Sequence, residues 1–172
     1  MKTVVLFPTE AEAAPLRRRA SELDIRICGV GQARAAAAAA RIIAAERPDR
    51  VILAGIAGTY DSSVALGSVY AVELERDFGL PARFAAEFRA GFLPDGLPRA
   101  VSNTVQQTSA DGRGALIENM EGAAVYAVCA AQGVACCGIR AVSNRTGEPF
   151  GTWDVAGATD NLAEILIRIL KS

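Results

Sequence analysis

Histidine is absent from the 172 residues, and that absence excludes more chemistry than any single residue present implies. Without imidazole there is no Ser-His-Asp or Cys-His machinery, no His metal ligand and no ordinary neutral-pH proton shuttle. Acid and base work falls to carboxylates, amides, water or the backbone. Cysteine is scarce: Cys28, Cys129, Cys136 and Cys137 have no CxxC spacing and lie in apolar stretches. They read as buried free thiols rather than a zinc site or a catalytic thiol. Lysine is nearly missing as well. Sixteen of the 18 basic residues are Arg, scattered apart from Arg17-Arg18-Arg19, and 19 acidic residues bring the net charge to −1. That balance gives no electrostatic reason to expect nucleic acid or an anionic membrane as partner. No apolar run reaches the roughly 20 residues of a membrane span, and residues 1–8 lack the features of a signal peptide. The expectation is a soluble, cytoplasmic protein.

A chain of this length fits one domain and can bury roughly 70% of its unfolded surface. Thr3–Phe7 is apolar on both faces, as a strand inside a parallel sheet would be. A helix is expected from about Glu10 to Leu23, a short strand at Ile25–Cys28, and a helix over Gln32–Glu46, whose run Ala35–Ala40 competes with low-complexity disorder. Further strands are expected at Val51–Ala54, Ser68–Leu74, Arg99–Asn103 and Val134–Val142, with helices at Glu121–Gln132 and Ala156–Leu170. Residues 76–98 hold four of the six phenylalanines and read as an excursion from the sheet that covers a pocket or meets a partner subunit. Alternating strands and helices give an α/β fold, a three-layer sandwich with a mostly parallel or mixed central sheet flanked by helices. Ligands gather beyond the carboxyl ends of such strands, near Pro8–Glu12, Gly29–Gly31, Gly55–Thr59, Ser102–Gln107 and Ser143–Arg145.

Four features there could carry chemistry. Glu10 and Glu12 sit near a helix start, where a carboxylate either complements the helix dipole or takes a proton from water. Gly55-Ile-Ala-Gly58 is either a tight turn or a stretch of backbone that a ligand approaches closely, and it is neither GxGxxG nor a P-loop. In Asn119-Met120-Glu121-Gly122, Glu121 either serves the helix start or accepts from vicinal ribose hydroxyls while Met120 packs on the sugar. Arg140-Ala-Val-Ser143-Asn144-Arg145 ends a buried strand in a polar cluster.

The ordered set of motifs resembles the purine nucleoside phosphorylase and nucleosidase superfamily, and within it the futalosine hydrolases. The pieces are Glu10-Ala-Glu12, Cys28-Gly-Val-Gly31, Ala54-Gly-Ile-Ala-Gly58, Gly67-Ser-Val and Ser102-Asn-Thr-Val105, then Glu118-Asn-Met-Glu121-Gly-Ala-Ala124, Ile139-Arg-Ala-Val-Ser-Asn144, Trp153-Asp and Asp160-Asn-Leu162. They cover nearly the whole chain; only 76–98 fails to match. The resemblance implies hydrolysis of a purine N-ribosidic bond, with Glu12 as the base that activates water and Asn144 at the purine edge. It implies that Met120 and Glu121 hold the ribose, with Asn119 beside them among the substrate-binding residues. Ser143 and Arg140 position the Asn144 loop, Ala57 and Gly58 lie beside sugar and base, and the backbone at Val105-Gln106 reads the base face. Trp153 is either an aromatic lid or ordinary packing. No metal or cofactor is required, and a homo-oligomer is expected.

Two departures from the relatives guide the substrate. Nucleosidases for methylthioadenosine or adenosylhomocysteine carry Asp where this chain has Asn144; the amide cannot pass a proton, and its donors can face N7 and O6 of a 6-oxopurine together, although flipped it reads adenine's N6/N7 pair, so Asn alone favours hypoxanthine without excluding adenine. Phosphorylases ring their anion with arginines, whereas Pro8–Glu12 and Gly55–Thr59 contain none. The implied reaction is release of hypoxanthine from futalosine during menaquinone synthesis. Its rivals are a methylthioadenosine, adenosylhomocysteine or aminodeoxyfutalosine nucleosidase, then a phosphorylase, then a noncatalytic nucleoside-binding module.

Overall fold

Alternation along β1 (Thr3–Phe7) sends Val4 and Leu6 to one face and Val5 and Phe7 to the other, and all four are at most 1% exposed. A strand buried on both sides needs helices on both sides. The computed structural model supplies them; it describes residues 1–108 and 110–171, with Ala82 as backbone alone. α1 (Glu10–Arg19) and α4 (Val155–Lys171) pack together on one face, and α2 (Gln32–Glu46) and α3 (Gly122–Ala131) on the other. The alanine run is an ordered helix: Ala35, Ala39, Ile42 and Ile43 form its buried stripe at helical spacing.

The sheet has eight strands. β2 (Ile25–Ile27), β1, β3 (Arg50–Thr59) and β8 (Ala135–Arg145) run parallel. β8 also pairs antiparallel with β4 (Val69–Asp77), which lies parallel to β6 (Arg99–Thr104), and β6 lies parallel to β7 (Ile117–Asn119). β7 then pairs back onto β3 through Gly58–Glu118 and Thr59–Ile117. The mixed sheet therefore curls until β3, β8, β4, β6 and β7 close a ring, a closure that no hydrophobic pattern announces.

Two further differences have physical causes. Gly55–Gly58 is not a tight turn but extended strand, paired with β8 along its length apart from a register shift between Ala57 and Gly58. Residues 76–98 do not wholly leave the sheet, because β5 (Glu87–Arg89) pairs with the end of β4 as an edge hairpin. Phe88 packs on one core and Phe92 on the other, while Phe84 is 61% exposed.

Candidate active site

One cavity of about 520 Å³ lies where β3 and β8 meet the short β7, beyond the carboxyl ends of β1 and β6. Of the expected site residues, Glu12, Ala57, Gly58, Val105, Asn119, Met120, Glu121, Arg140, Asn144 and Trp153 line it. Gln106 does not: its side chain is exposed, and the next residue, Gln107, faces the cavity instead. Ser143 is fully buried behind Asn144. No residue of 76–98 is among the lining residues, so that segment does not cover this pocket.

Glu12 is held by its own helix start. Thr9 caps α1 in extended conformation, and its hydroxyl accepts from the Glu12 N–H at 3.2 Å while donating to Glu12 Oε1 at 2.7 Å. The other oxygen, Oε2, accepts the Ile56 N–H at 2.9 Å. Burial raises the Glu12 pKa above the ordinary carboxylate value, opposed by these two hydrogen bonds and by the Arg140 charge. Gly55 creates the room: a Cβ there would stand 2.6 Å from Arg140 Nη1 and 2.9 Å from Glu12 Oε2.

Arg140 is 1% exposed and ties the floor together. Nη2 donates to Asn119 Oδ1 at 3.0 Å and Glu121 Oε2 at 3.4 Å, and Nη1 to the Ile56 carbonyl at 3.4 Å. Glu121 stands at the N-cap of α3 yet makes no side-chain cap bond; its Oε1 accepts the Gly31 N–H at 3.0 Å. Gly31 can present that N–H because its φ of 88° lies in the left-handed region. The capping work falls to Asn119, whose Oδ1 accepts from Glu121 N and Gly122 N and whose Nδ2 donates to Glu75 and Ser102. Both ends of the Asn119 amide are thus engaged within the protein.

Asn144 is oriented from behind. Ser143 Oγ donates to its Oδ1 at 2.8 Å, and its Nδ2 donates to the Arg145 carbonyl at 3.0 Å. One N–H therefore remains for a ligand, not the two that a combined N7/O6 contact requires. Trp153 donates to the Glu148 carbonyl and meets Phe150 with ring centroids 4.9 Å apart. Phe150, Met120 and Val30 leave an apolar, exposed rim.

Several contributors escaped sequence reasoning. Thr9-x-x-Glu12 matches a capping-box spacing and was a legible signal. Phe150 stands three residues before Trp153. Glu75, buried behind Asn119, carries no sequence signal, and Glu118, held by Tyr60 and Thr108, opens the Glu118–Ala124 motif but is brought to the cavity by a strand pairing that the ring closure sets. Burial raises Glu75 to about 7, against hydrogen bonds from Thr104, Asn119 and Ser102 and the Arg140 charge. The Cys28 thiol, beneath the site, is pushed up to about 12 by burial and then by Glu121, which leaves it a poor nucleophile.

The arrangement offers one water-sized base, a buried carboxylate–guanidinium pair and an oriented amide around an apolar slot. The phosphorylase superfamily model matches residues 98–172. The chain is 32% identical to futalosine hydrolase from Thermus thermophilus over 176 residues, covering 83% of this chain and 78% of that protein. Native futalosine hydrolase of Helicobacter pylori superposes with a TM-score of 0.84 at 15% identity, covering 99% of this chain and 97% of that one. Arabidopsis thaliana 5'-methylthioadenosine nucleosidase in apo form does so at 0.84 and 19% identity, covering 98% and 94%. At such identities the structural likeness shows a shared fold.

Proposed function

We propose a function from one premise: this chain belongs to the futalosine hydrolase family of the phosphorylase superfamily. It hydrolyses the N-ribosidic bond of futalosine and releases hypoxanthine, a step of menaquinone synthesis by the futalosine route. Water rests against Glu12 and attacks C1' as the C1'–N9 bond breaks through an oxocarbenium-like transition state. The water proton passes to the Glu12 carboxylate, and general-base help of this kind contributes ~10²–10⁴-fold. The bond's electron pair leaves with the purine as an anion, whose N7 takes a hydrogen bond from the remaining Asn144 N–H; solvent then protonates the base to hypoxanthine and takes the proton back from Glu12. Glu121 accepts from the ribose hydroxyls while Met120 packs on the sugar, and Arg140 and Asn119 hold Glu121 in place.

The observation that carries hydrolysis over phosphorolysis is the state of the cavity's cation. Among the described lining residues Arg140 is the single Arg or Lys, and its guanidinium is already engaged by Glu121, Asn119 and the Ile56 carbonyl. A phosphate placed beside Glu12 would meet its carboxylate, and the one cation nearby is shared with Glu121. Among the described residues no helix is long and apolar enough to cross a membrane, and all four cysteines are free thiols; both support a cytoplasmic enzyme. The exposed apolar rim and the exposed Leu80 and Phe84 support association of copies into a homo-oligomer. The reaction is tested by following futalosine with and without inorganic phosphate. Equal hypoxanthine release in both is the expected result, and a strict phosphate requirement would return the enzyme to the phosphorylases.

A further inference from the structure

The proposed reaction leaves the buried carboxylate of Glu75 without a task, yet β4 is irregular at the point that brings it inward. Ala71 packs against the α1–α4 core and Val72 against the α2–α3 core. Regular alternation would return residues 74 and 76 to the face of Val72 and turn 75 away. Instead, Val72 opposes Ala100 and Leu74 opposes Val101, so β4 advances two residues while β6 advances one. The slip sets Glu75 on the α3 side, as bulges beside functional sites do. There it is 1% exposed, and Gly122 makes room for it: a Cβ at Gly122 would overlap the Glu75 carboxyl carbon and Oε2.

Three side chains donate to this carboxylate. Asn119 Nδ2 lies 3.1 and 3.0 Å from its two oxygens, Thr104 Oγ1 donates to Oε1 at 2.8 Å, and Ser102 adds a further hydrogen bond. These bonds decide how two of the donors face the start of α3. With Nδ2 held by Glu75 and Ser102, Asn119 turns Oδ1 to the N–H groups of Glu121 and Gly122, at 2.9 and 2.7 Å, and to Arg140 Nη2 at 3.0 Å. With its hydrogen given to Glu75, the Thr104 hydroxyl accepts the Ala123 N–H at 2.7 Å. One carboxylate thus aligns the acceptors for three successive backbone donors and for the guanidinium beside Glu121.

We infer that Glu75 is a positioning residue for ribose recognition: it fixes the Asn119 amide, and through Asn119 it sets Glu121 and Arg140. This rests on Glu121 accepting from the ribose hydroxyls, as in the proposed reaction. Glu75→Gln cannot do the same. Whichever way the new amide turns, its nitrogen stands 3.0 or 3.1 Å from Asn119 Nδ2, donor against donor. Turning the Asn119 amide over would relieve that contact only by setting its NH2 group against the Glu121 and Gly122 N–H groups and Arg140.

Base release from inosine and from 2'-deoxyinosine by the wild type and by Glu75→Gln tests the role, at pH 8, where a carboxylate raised to about 7 is ionised. The ratio of the two kcat/KM values reports the 2'-hydroxyl contact, because the intrinsic lability of each bond is common to both proteins. A hydrogen bond to a charged group is worth roughly 10- to 100-fold. The ratio of inosine to 2'-deoxyinosine should therefore fall by about tenfold or more in Glu75→Gln. A merely structural role lowers both substrates alike, and an unchanged ratio would overturn the inference. Should that variant fail to unfold cooperatively, Glu75→Asp, whose carboxylate is one methylene short of Asn119, decides: a lowered ratio supports the role and an unchanged one defeats it. If the wild type releases no base from either nucleoside, calorimetric affinities give the ratio instead. A fall there keeps the positioning role and loses the proposed reaction, whereas a constant ratio defeats both.

Discussion

Replacing Gly55 with Ala puts one methyl group into the tightest part of the site. It would stand 2.6 Å from Arg140 Nη1, 2.9 Å from Glu12 Oε2 and 3.2 Å from Pro8 Cδ. Gly55 is not among the positive-φ glycines, so the backbone accepts alanine and only space is at issue. Arg140 and Glu12 are 1% and 6% exposed and cannot swing into solvent. Overpacking of this kind costs about 1–3 kcal/mol. For a chain of this length that lowers Tm by roughly 2–12 °C. The Ile56 N–H bond to Glu12 stretches first, and misplacing a catalytic group by about 1 Å costs on the order of 10²-fold in rate. Thermal unfolding and kcat on the same preparation should therefore fall together. Gly151→Ala, where nothing lies within 4 Å of the added methyl, should leave both unchanged and serves as the control. An unaltered Tm and kcat in Gly55→Ala would refute the packing of Glu12 and Arg140 over this glycine.

Glu12→Gln should keep nucleoside affinity and lose ~10²–10⁴-fold in kcat, and retention of full turnover would remove Glu12 as the base. Because burial raises its pKa, the acid limb of kcat/KM should lie above the ordinary 4.5 of a free Glu, activity being lost as pH falls through it; a limb at or below 4.5 would contradict this. Asn144→Asp, whose protonated carboxyl can donate at N7, should raise the ratio of adenine to hypoxanthine release across paired substrates, and a constant ratio would mean the purine edge is read elsewhere. Glu75, raised from 4.5 to about 7, contributes stability fully present below about pH 4.5 and lost as pH rises through 7. That amounts to about 3 kcal/mol, and Glu75→Gln should flatten the difference in denaturant unfolding between pH 5 and pH 8. An undiminished pH dependence in the variant would assign it to other groups.

The helices and most strands were legible because both periodicities are written into the chain: the two-faced run of β1 and the Ala35, Ala39, Ile42, Ile43 stripe of α2. The residues at the cavity were legible one by one, as polar or glycine punctuation at strand ends. Their partnerships were not. That Glu121 reaches Gly31, that Asn119 takes over the helix cap, and that Gly55 is a strand glycine sparing room for Arg140 all depend on contacts between residues as many as 90 positions apart. Ring closure through the three-residue β7 was likewise beyond any local pattern. Strands so short contribute no alternation to detect.

The most direct measurement is chromatographic identification of the base released from futalosine, aminodeoxyfutalosine, inosine, methylthioadenosine and adenosylhomocysteine, offered separately at matched concentrations. Hypoxanthine from futalosine should appear fastest, with adenine from the 6-amino substrates slower by roughly tenfold or more. Adenine released fastest would contradict the assignment of the purine edge to Asn144, and binding without release of any base would contradict catalysis itself.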